Sequence, residues 1–231
     1  MEKKKFQSLE EISQGRNNNL NFIRLIAAIM VIFSHSFPIS GGVEIDPFTL
    51  LTDGQVGLGA LAVDIFFFYG GFLICKSVCR LKTFRAYFRA RILRIFPPLF
   101  MICAILTFFV GAVLTELTVT QYFTDARTYK YLLNSFLILQ RDLPGVFIHN
   151  IYGSVVNGSL WTLPVEFICY IMCYVIYKFD WLKDQNIKWL TAFFIVGCLG
   201  IRILSGWVPV LSAVITPISL FYEGILCFKY R

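Results

Sequence analysis

Long apolar segments alternate with short polar ones along most of this chain. A helix that crosses a bilayer needs about 20 predominantly apolar residues. Segments of about that length occur at Leu20–Phe37, Leu58–Val78, Ile95–Thr115, Ser159–Phe179, Trp189–Trp207 and Val208–Phe228. Only Ser205–Pro209 marks the junction between the last two. The pattern predicts an all-α, polytopic integral membrane protein with about six transmembrane helices, spread over residues 20–231 and preceded by an arm over 1–19.

The longest polar connection, residues 116–158, lies between the third and fourth predicted spans. It contains an apolar stretch of its own, Tyr131–Leu139. A stretch this short cannot cross a bilayer as a helix. We therefore predict that it lies at the membrane interface or enters the membrane and returns to the same side.

Composition agrees with a membrane protein, and charge orients it. The chain is 57% hydrophobic and 17% aromatic, which exceeds ordinary soluble usage. Most of its 21 Lys and Arg residues fall in the N-terminal arm, between spans two and three, between spans four and five, and at the C-terminus. Because basic loops favour the cytoplasm, both termini are predicted to be cytoplasmic. The net charge of +7 reflects this topology and gives no reason to invoke nucleic acid.

Two ionisable residues, Arg24 and His35, lie inside the first apolar segment. At about 100° per residue, their separation returns them to one helix face. A charge in the bilayer core costs about 3 kcal/mol or more, so this pair indicates a polar interior. An imidazole can take a proton from a hydroxyl near neutral pH. The alternative for His35 is a core imidazole bonded to a backbone carbonyl.

Depth along the predicted spans sorts the remaining candidates into two groups. Asp64 and Glu166 lie about 10 Å below the outer surface, in the same half as His35, which suits acid–base work. The inner margin carries guanidinium groups, whose donors match phosphate oxygens. These are Arg24, Arg91 and Arg94.

Each of these residues also has a structural interpretation. Arg91 and Arg94 would serve as a cytoplasmic anchor with snorkelling side chains. Glu166 would be a paired carboxylate in a packing helix that Pro164 kinks by freeing a carbonyl. Asp64 either holds the tautomer of His35 or neutralises Arg24.

The seven cysteines fall outside the predicted outward-facing loops. Disulfides are therefore not expected, and no spacing matches a metal site. We interpret the cysteines as small apolar packing residues.

Four segments, in this order, resemble the membrane-bound acyltransferase-3 family, the O-acyltransferases of bacterial cell-surface polysaccharides. The first contains Arg24 and His35 within NLNFIRLIAAIMVIFSHSF. The others are VDIFFFYGGFLI at 63–74, RARILRIFPP at 89–98 and GSLWTLPVEF at 158–167. The chain departs from the family pattern in two respects. The family usually has Ser where this chain has Gly70, and it has about ten spans, so the chain is expected to be truncated.

The resemblance implies a bacterial plasma-membrane enzyme without a permanently bound cofactor. It implies that an acyl group, acetyl in the simplest case, passes from cytoplasmic acyl-CoA to a hydroxyl of a cell-surface or lipid-linked carbohydrate. Its activity-linked residues match His35, Arg24, Arg91 and Arg94. In our hypothesis the arginines hold the donor's phosphates and His35 is the general base.

Two other functions would use the same buried charges. A solute or ion transporter would employ them as a substrate or proton path, although the six predicted spans show no internal repeat. An acyltransferase fragment inactivated by truncation would retain them without turnover.

Overall fold

The computed structural model describes residues 20–40, 46–151, 153–204 and 209–231. Its ten α-helices within these ranges are joined by short irregular, π-helical and 3₁₀ segments. They are α1 (Leu20–Ser40), α2 (Pro47–Leu51), α3 (Leu58–Leu81), α4 (Phe84–Ile105), α5 (Gly111–Leu114), α6 (Val119–Thr124), α7 (Ala126–Lys130), α8 (Thr162–Lys178), α9 (Asp184–Leu204) and α10 (Pro209–Lys229). The prediction of an all-α protein is confirmed.

Among the described residues, four helical segments are long and apolar enough to cross a membrane. They are Asn21–Ser40, Leu58–Leu81, Phe84–Leu114 and Gly158–Lys178. They correspond to the first four predicted spans, which confirms a polytopic membrane protein. The fifth and sixth predicted spans form α9 and α10, helices of 21 residues each. Most of the predicted junction between them, residues 205–208, lies outside the described residues.

The third span differs most from its predicted bounds. Hydropathy places its start at Ile95, whereas the helix begins at Phe84, directly after the N-cap Thr83. The reason is that Arg is a good helix former, so the basic segment continues the apolar helix. At the other end, a π-helical turn, Leu106–Val110, joins α4 to α5.

The described residues form two compact units, the first within 1–35, 45–80 and 172–231, and the second within 36–44 and 81–171. In the first unit, two glycines allow the backbones of α3 and α10 to touch. A side chain at Gly71 would meet the carbonyl of Phe221, and one at Gly224 would meet the carbonyl of Phe68. Small residues of this kind commonly let membrane helices approach closely.

The second unit contains a folded cap built from the long polar connection. Its core consists of Tyr122, Tyr131, Leu143 and Val146. The Tyr122 hydroxyl donates to the carbonyl of Thr107 in the π-helical turn at 2.8 Å. The apolar stretch predicted at Tyr131–Leu139 begins with a 3₁₀ helix, Tyr131–Phe136, that packs against α4. Its interfacial or re-entrant placement stays a prediction.

Pro164 does not act as predicted. The structural interpretation of Glu166 placed Pro164 inside a kinked helix. Instead a 3₁₀ turn, Gly158–Trp161, opens this segment, and Pro164 is the third residue of α8. Proline is well tolerated in the first turn, where the N–H has no intrahelical partner. All seven cysteines are free thiols.

Candidate functional site

In the first unit, α1 carries both Arg24 and His35. Arg24 is partly buried and Ala27, one turn further along, is fully buried. His35 is exposed among the described residues. The sequence predicted that Arg24 and His35 share an enclosed face, and the described residues enclose only the part of it near Arg24.

A carboxylate that the sequence analysis did not select, Asp46, lies directly beside the residue that precedes His35. Its side chain accepts five hydrogen bonds. The donors are the hydroxyls of Ser34 (2.9 Å) and Thr49 (2.9 Å) and the backbone N–H groups of Phe48 (3.1 Å), Thr49 (3.0 Å) and Leu58 (3.3 Å). Asp46 therefore ties the end of α1 to the first turns of α2 and α3. It is 5% exposed.

The environment of Asp46 favours its ionised form. Burial by itself raises the pKa of this carboxyl, but the hydrogen bonds from Ser34, Thr49 and Leu58 outweigh it. The pKa of Asp46 consequently lies below its ordinary value. A carboxylate at two helix N-termini is also favoured by the helix dipoles.

Asp64, the second carboxylate predicted for acid–base work, lies in α3. It is partly buried. Six residues separate it from Leu58, where the Asp46 hydrogen bond anchors the helix, a rise of about 9 Å. The first unit therefore contains Arg24, His35 and Asp64 from the predicted site.

The second unit contains the other three predicted residues, Arg91, Arg94 and Glu166, and two tyrosine side chains contact Arg91 and Glu166. The guanidinium carbon of Arg91 lies 5.6 Å from the ring centroid of Tyr87 and 5.7 Å from that of Tyr170. The Tyr87 hydroxyl donates to the carbonyl of Tyr170 at 3.0 Å, which joins α4 to α8. Both tyrosines are completely buried, so Arg91 is held by two rigid rings.

Arg94 and Glu166 form an ion pair, with Nη2 3.9 Å from Oε1. The Tyr170 hydroxyl donates to the same Oε1. The side chains of Arg94 and Glu166 are 47% and 31% exposed. A pair that is this long and this exposed contributes little to stability, so the Arg94 charge stays accessible.

This contact corrects the depth sorting made from the sequence. Glu166 was placed in the outer half with His35 and Asp64, and Arg94 at the inner margin. A 3.9 Å contact puts the two side chains at one level. The physical reason is that α4 begins eleven residues before the predicted span, so counting from Ile95 misjudged where Arg94 lies.

A cavity of about 390 Å³ adjoins the ion pair. Arg94 and Glu166 supply its charged lining, and the remaining lining side chains are apolar. Those are Ile95, Pro98, Leu99, Ile102, Leu160 and Leu163. Pro97 and Pro98 lie inside α4 and cannot donate to the carbonyls four residues earlier, so the carbonyls of Leu93 and Arg94 lose that hydrogen bond. An anionic head group and an apolar arm both fit such a lining.

Sequence reasoning missed four residues that shape these sites. Ser34 and Asp46 gave no signal because a hydroxyl in an apolar run and an acid in a loop are both common. Tyr87 and Tyr170 were hidden among many aromatic residues. A sequence signal does exist for Asp46, because Asp followed by Pro typically begins a helix.

Comparison with known proteins identifies the chain's relatives. Residues 17–231 match the family model described as an acyltransferase domain. The chain is 38% identical over 158 residues to the O-acetyl transferase of Shigella phage Sf6, which covers 68% of this chain and 45% of that protein.

A second relative is nodulation protein 10 of Rhizobium leguminosarum bv. viciae, 32% identical over 171 residues, covering 70% of this chain and 44% of that protein. The chain thus spans less than half the length of these relatives. No solved structure matches significantly. The family match extends across nearly the whole chain, and we conclude that this protein belongs to the acyltransferase-3 family.

Proposed function

We propose that the whole protein transfers an acyl group, acetyl in the simplest case, from cytoplasmic acyl-CoA to a hydroxyl of a cell-surface or lipid-linked carbohydrate. The observation that carries this proposal is the accessible Arg94 at the edge of an apolar cavity of about 390 Å³. The similarity to an O-acetyl transferase supports the acyl group. The proposed setting is a bacterial plasma membrane with both termini in the cytoplasm.

Donor binding is assigned to the second unit. Arg94 contacts a phosphate of the donor, since a guanidinium matches phosphate oxygens and only a weak pair with Glu166 must be displaced. Arg91, held by Tyr87 and Tyr170, adds positive charge from a fixed position. Arg24 is a further donor-binding candidate in the first unit. The apolar lining suits the arm that carries the thioester.

The chemical step is assigned to His35 as general base. The imidazole takes the proton of the acceptor hydroxyl while its oxygen attacks the thioester carbonyl. The carbon–sulfur bond breaks, the acyl group is left on the acceptor as an ester, and the coenzyme A thiolate leaves and accepts a proton. Asp64 is proposed to hold the imidazolium form during the step. Glu166 is proposed to pair with Arg94 until the donor displaces it.

Donor binding can be tested in this chain without turnover. Acetyl-CoA is titrated calorimetrically into detergent-solubilised wild type, R94A and R89A. Arg89 is a matched control because it is an exposed arginine on the same helix. We expect R94A to weaken binding roughly ten-fold or more, as for loss of a charge-assisted contact, and R89A to retain it. Equal affinities for all three proteins would refute the assignment of Arg94.

Turnover is tested separately by mass spectrometry of a carbohydrate acceptor incubated with acetyl-CoA. H35A is expected to abolish acylation and to preserve donor affinity, because the base acts on the acceptor. Donor binding by wild type without any acylation would support the view that this chain alone is inactive. Solute flux in liposomes without a donor would instead support a transporter.

A further inference from the structure

We propose that Ser34 and Asp46 form a positioning device for His35, in which one hydrogen bond fixes the turn of α1 that carries the imidazole. The proposal rests on the proposed function in taking His35 as the base. Asp46 does not touch the imidazole. It is a positioning residue that acts through Ser34, the immediate neighbour of His35.

The hydrogen bonds around Asp46 support this role. Ser34 Oγ donates to Asp46 Oδ2 at 2.9 Å, and the same carboxylate is fixed by four other donors from α2 and from Leu58. The carboxylate therefore cannot turn without breaking several bonds. A hydrogen bond to such a fixed, ionised acceptor restrains its donor more strongly than a bond to a mobile side chain.

Close packing against Ser34 reinforces the restraint. A Cβ atom at Gly59 would lie 3.1 Å from Ser34 Oγ and 3.3 Å from Ser34 Cβ. A Cβ at Gly57 would lie 3.1 Å from the Thr49 hydroxyl. The first turn of α3 thus lies directly against the Ser34 side chain, and glycine is the residue that allows it.

His35 needs this restraint because nothing else described encloses it. The imidazole is exposed among the described residues, so its own packing does not fix its direction. A general base must lie within hydrogen-bond reach of the proton that it takes, and displacement by about 1 Å can cost on the order of 100-fold in rate. Fixing the backbone beside the imidazole restricts the positions that it can take.

Ser34 and Thr49 provide a matched pair for the test. Both hydroxyls donate to Asp46 Oδ2 at 2.9 Å, but only Ser34 is on α1. S34A and T49A each remove one hydroxyl from the same oxygen. If Asp46 is only structural, S34A and T49A should change the His35 NMR signal equally. If Asp46 positions His35 through Ser34, only S34A should change that signal.

The readout is the imidazole itself, which makes the test independent of acylation. The chain has two histidines, and His149, in the other unit, is an internal reference 3.4 Å from Glu116. The protein is labelled at the histidine Cε1 positions and examined by NMR in nanodiscs. In S34A we expect the His35 signal to broaden roughly two-fold or more through exchange on the µs–ms timescale, with His149 unchanged. T49A should leave both signals as in wild type, and S34T, which keeps the hydroxyl, should restore the His35 signal.

Any of three results would overturn the proposal. One is a His35 signal in S34A that matches wild type. Another is an equal change of the His35 signal in S34A and T49A. The third is a change in S34A that also affects the His149 signal. Either of these two would mean that the hydrogen bond supports general stability. Absence of acylation by the wild-type chain would concern the proposed function alone and would leave this spectroscopic test unaffected. In a preparation that turns over, S34A is expected to lower kcat without changing the affinity for acetyl-CoA.

Discussion

Two carboxylates, Asp46 in the first unit and Glu166 in the second, have opposite surroundings. Asp46 accepts five hydrogen bonds and is 5% exposed. The Glu166 side chain is 31% exposed and lies 3.9 Å from Arg94. Five hydrogen bonds fix Asp46 as a structural joint, whereas Glu166 accepts one, from Tyr170, and its pair with Arg94 is long and exposed. The number of fixed donors, not the presence of a charge in an apolar segment, separates the two roles.

The arginines of the second unit show the same contrast at closer range. Arg91 lies between two buried rings, and Arg94, one turn later, is half-exposed beside a cavity. A motif with two arginines three residues apart therefore combines a fixed charge with an available one.

The largest effect on stability is expected from D46N. The asparagine amide has one N–H₂ group where the carboxylate had an acceptor oxygen, so some of the five donors around position 46 lose their acceptor. We expect the free energy of unfolding to fall by about 2–3 kcal/mol. Denaturant unfolding of the protein in detergent measures this loss. D53N is the control, because Asp53 is exposed and has φ 51°, which Asn tolerates. A D46N protein as stable as D53N would contradict the contrast drawn between Asp46 and Glu166.

The stabilisation by Asp46 should depend on pH with a definite sign. Its pKa is lowered in the folded protein, so the unfolded chain binds the proton more readily. The stability advantage of wild type over D46N is therefore complete above the unfolded pKa, about 3.9, and declines as pH falls through the lower folded value. Unfolding of both proteins between neutral and acidic pH measures the difference. An advantage that persists unchanged in strong acid would show that the charge of Asp46 is not involved.

A smaller effect on stability should separate the two arginines. R91A removes a guanidinium stacked on two rings and is expected to cost about 1 kcal/mol. R94A removes an exposed pair and should cost about 0–0.5 kcal/mol. Thermal unfolding of the two variants under one condition makes the comparison. The reverse order would mean that Arg94 is the structural member.

The smallest effect is expected from E166Q. It removes the ion pair with Arg94, so acetyl-CoA should bind more tightly by up to about two-fold, as expected from an exposed pair worth about 0–0.5 kcal/mol. E116Q is the control, since Glu116 is also exposed and pairs with His149. Calorimetric titration gives both affinities. Weaker binding by E166Q would instead assign Glu166 a direct role with the donor.

The sequence alone predicted the broad architecture correctly where the physics is local. Apolar runs of membrane length predict spanning helices because no unpaired backbone group is tolerated in lipid, and the first four such runs are confirmed. Arg24 and His35 could be selected because charges in apolar segments are costly and therefore conspicuous. Arg91 and Arg94 could be selected because two guanidinium groups at the margin of a span match phosphate.

The structure added what depends on residues far apart in the chain. Glu166 is 72 positions from Arg94, and no periodicity could have paired them. The polar connection 116–158 forms a cap with its own core, which composition cannot distinguish from a loop.

Sequence by itself therefore determined that this protein is helical, crosses a membrane several times and belongs to the acyltransferase-3 family. Only the tertiary structure decided which charges are fixed and which are accessible. The physical reason is that burial and hydrogen-bond geometry depend on side chains that folding brings together, and the cost of a charge depends on those neighbours.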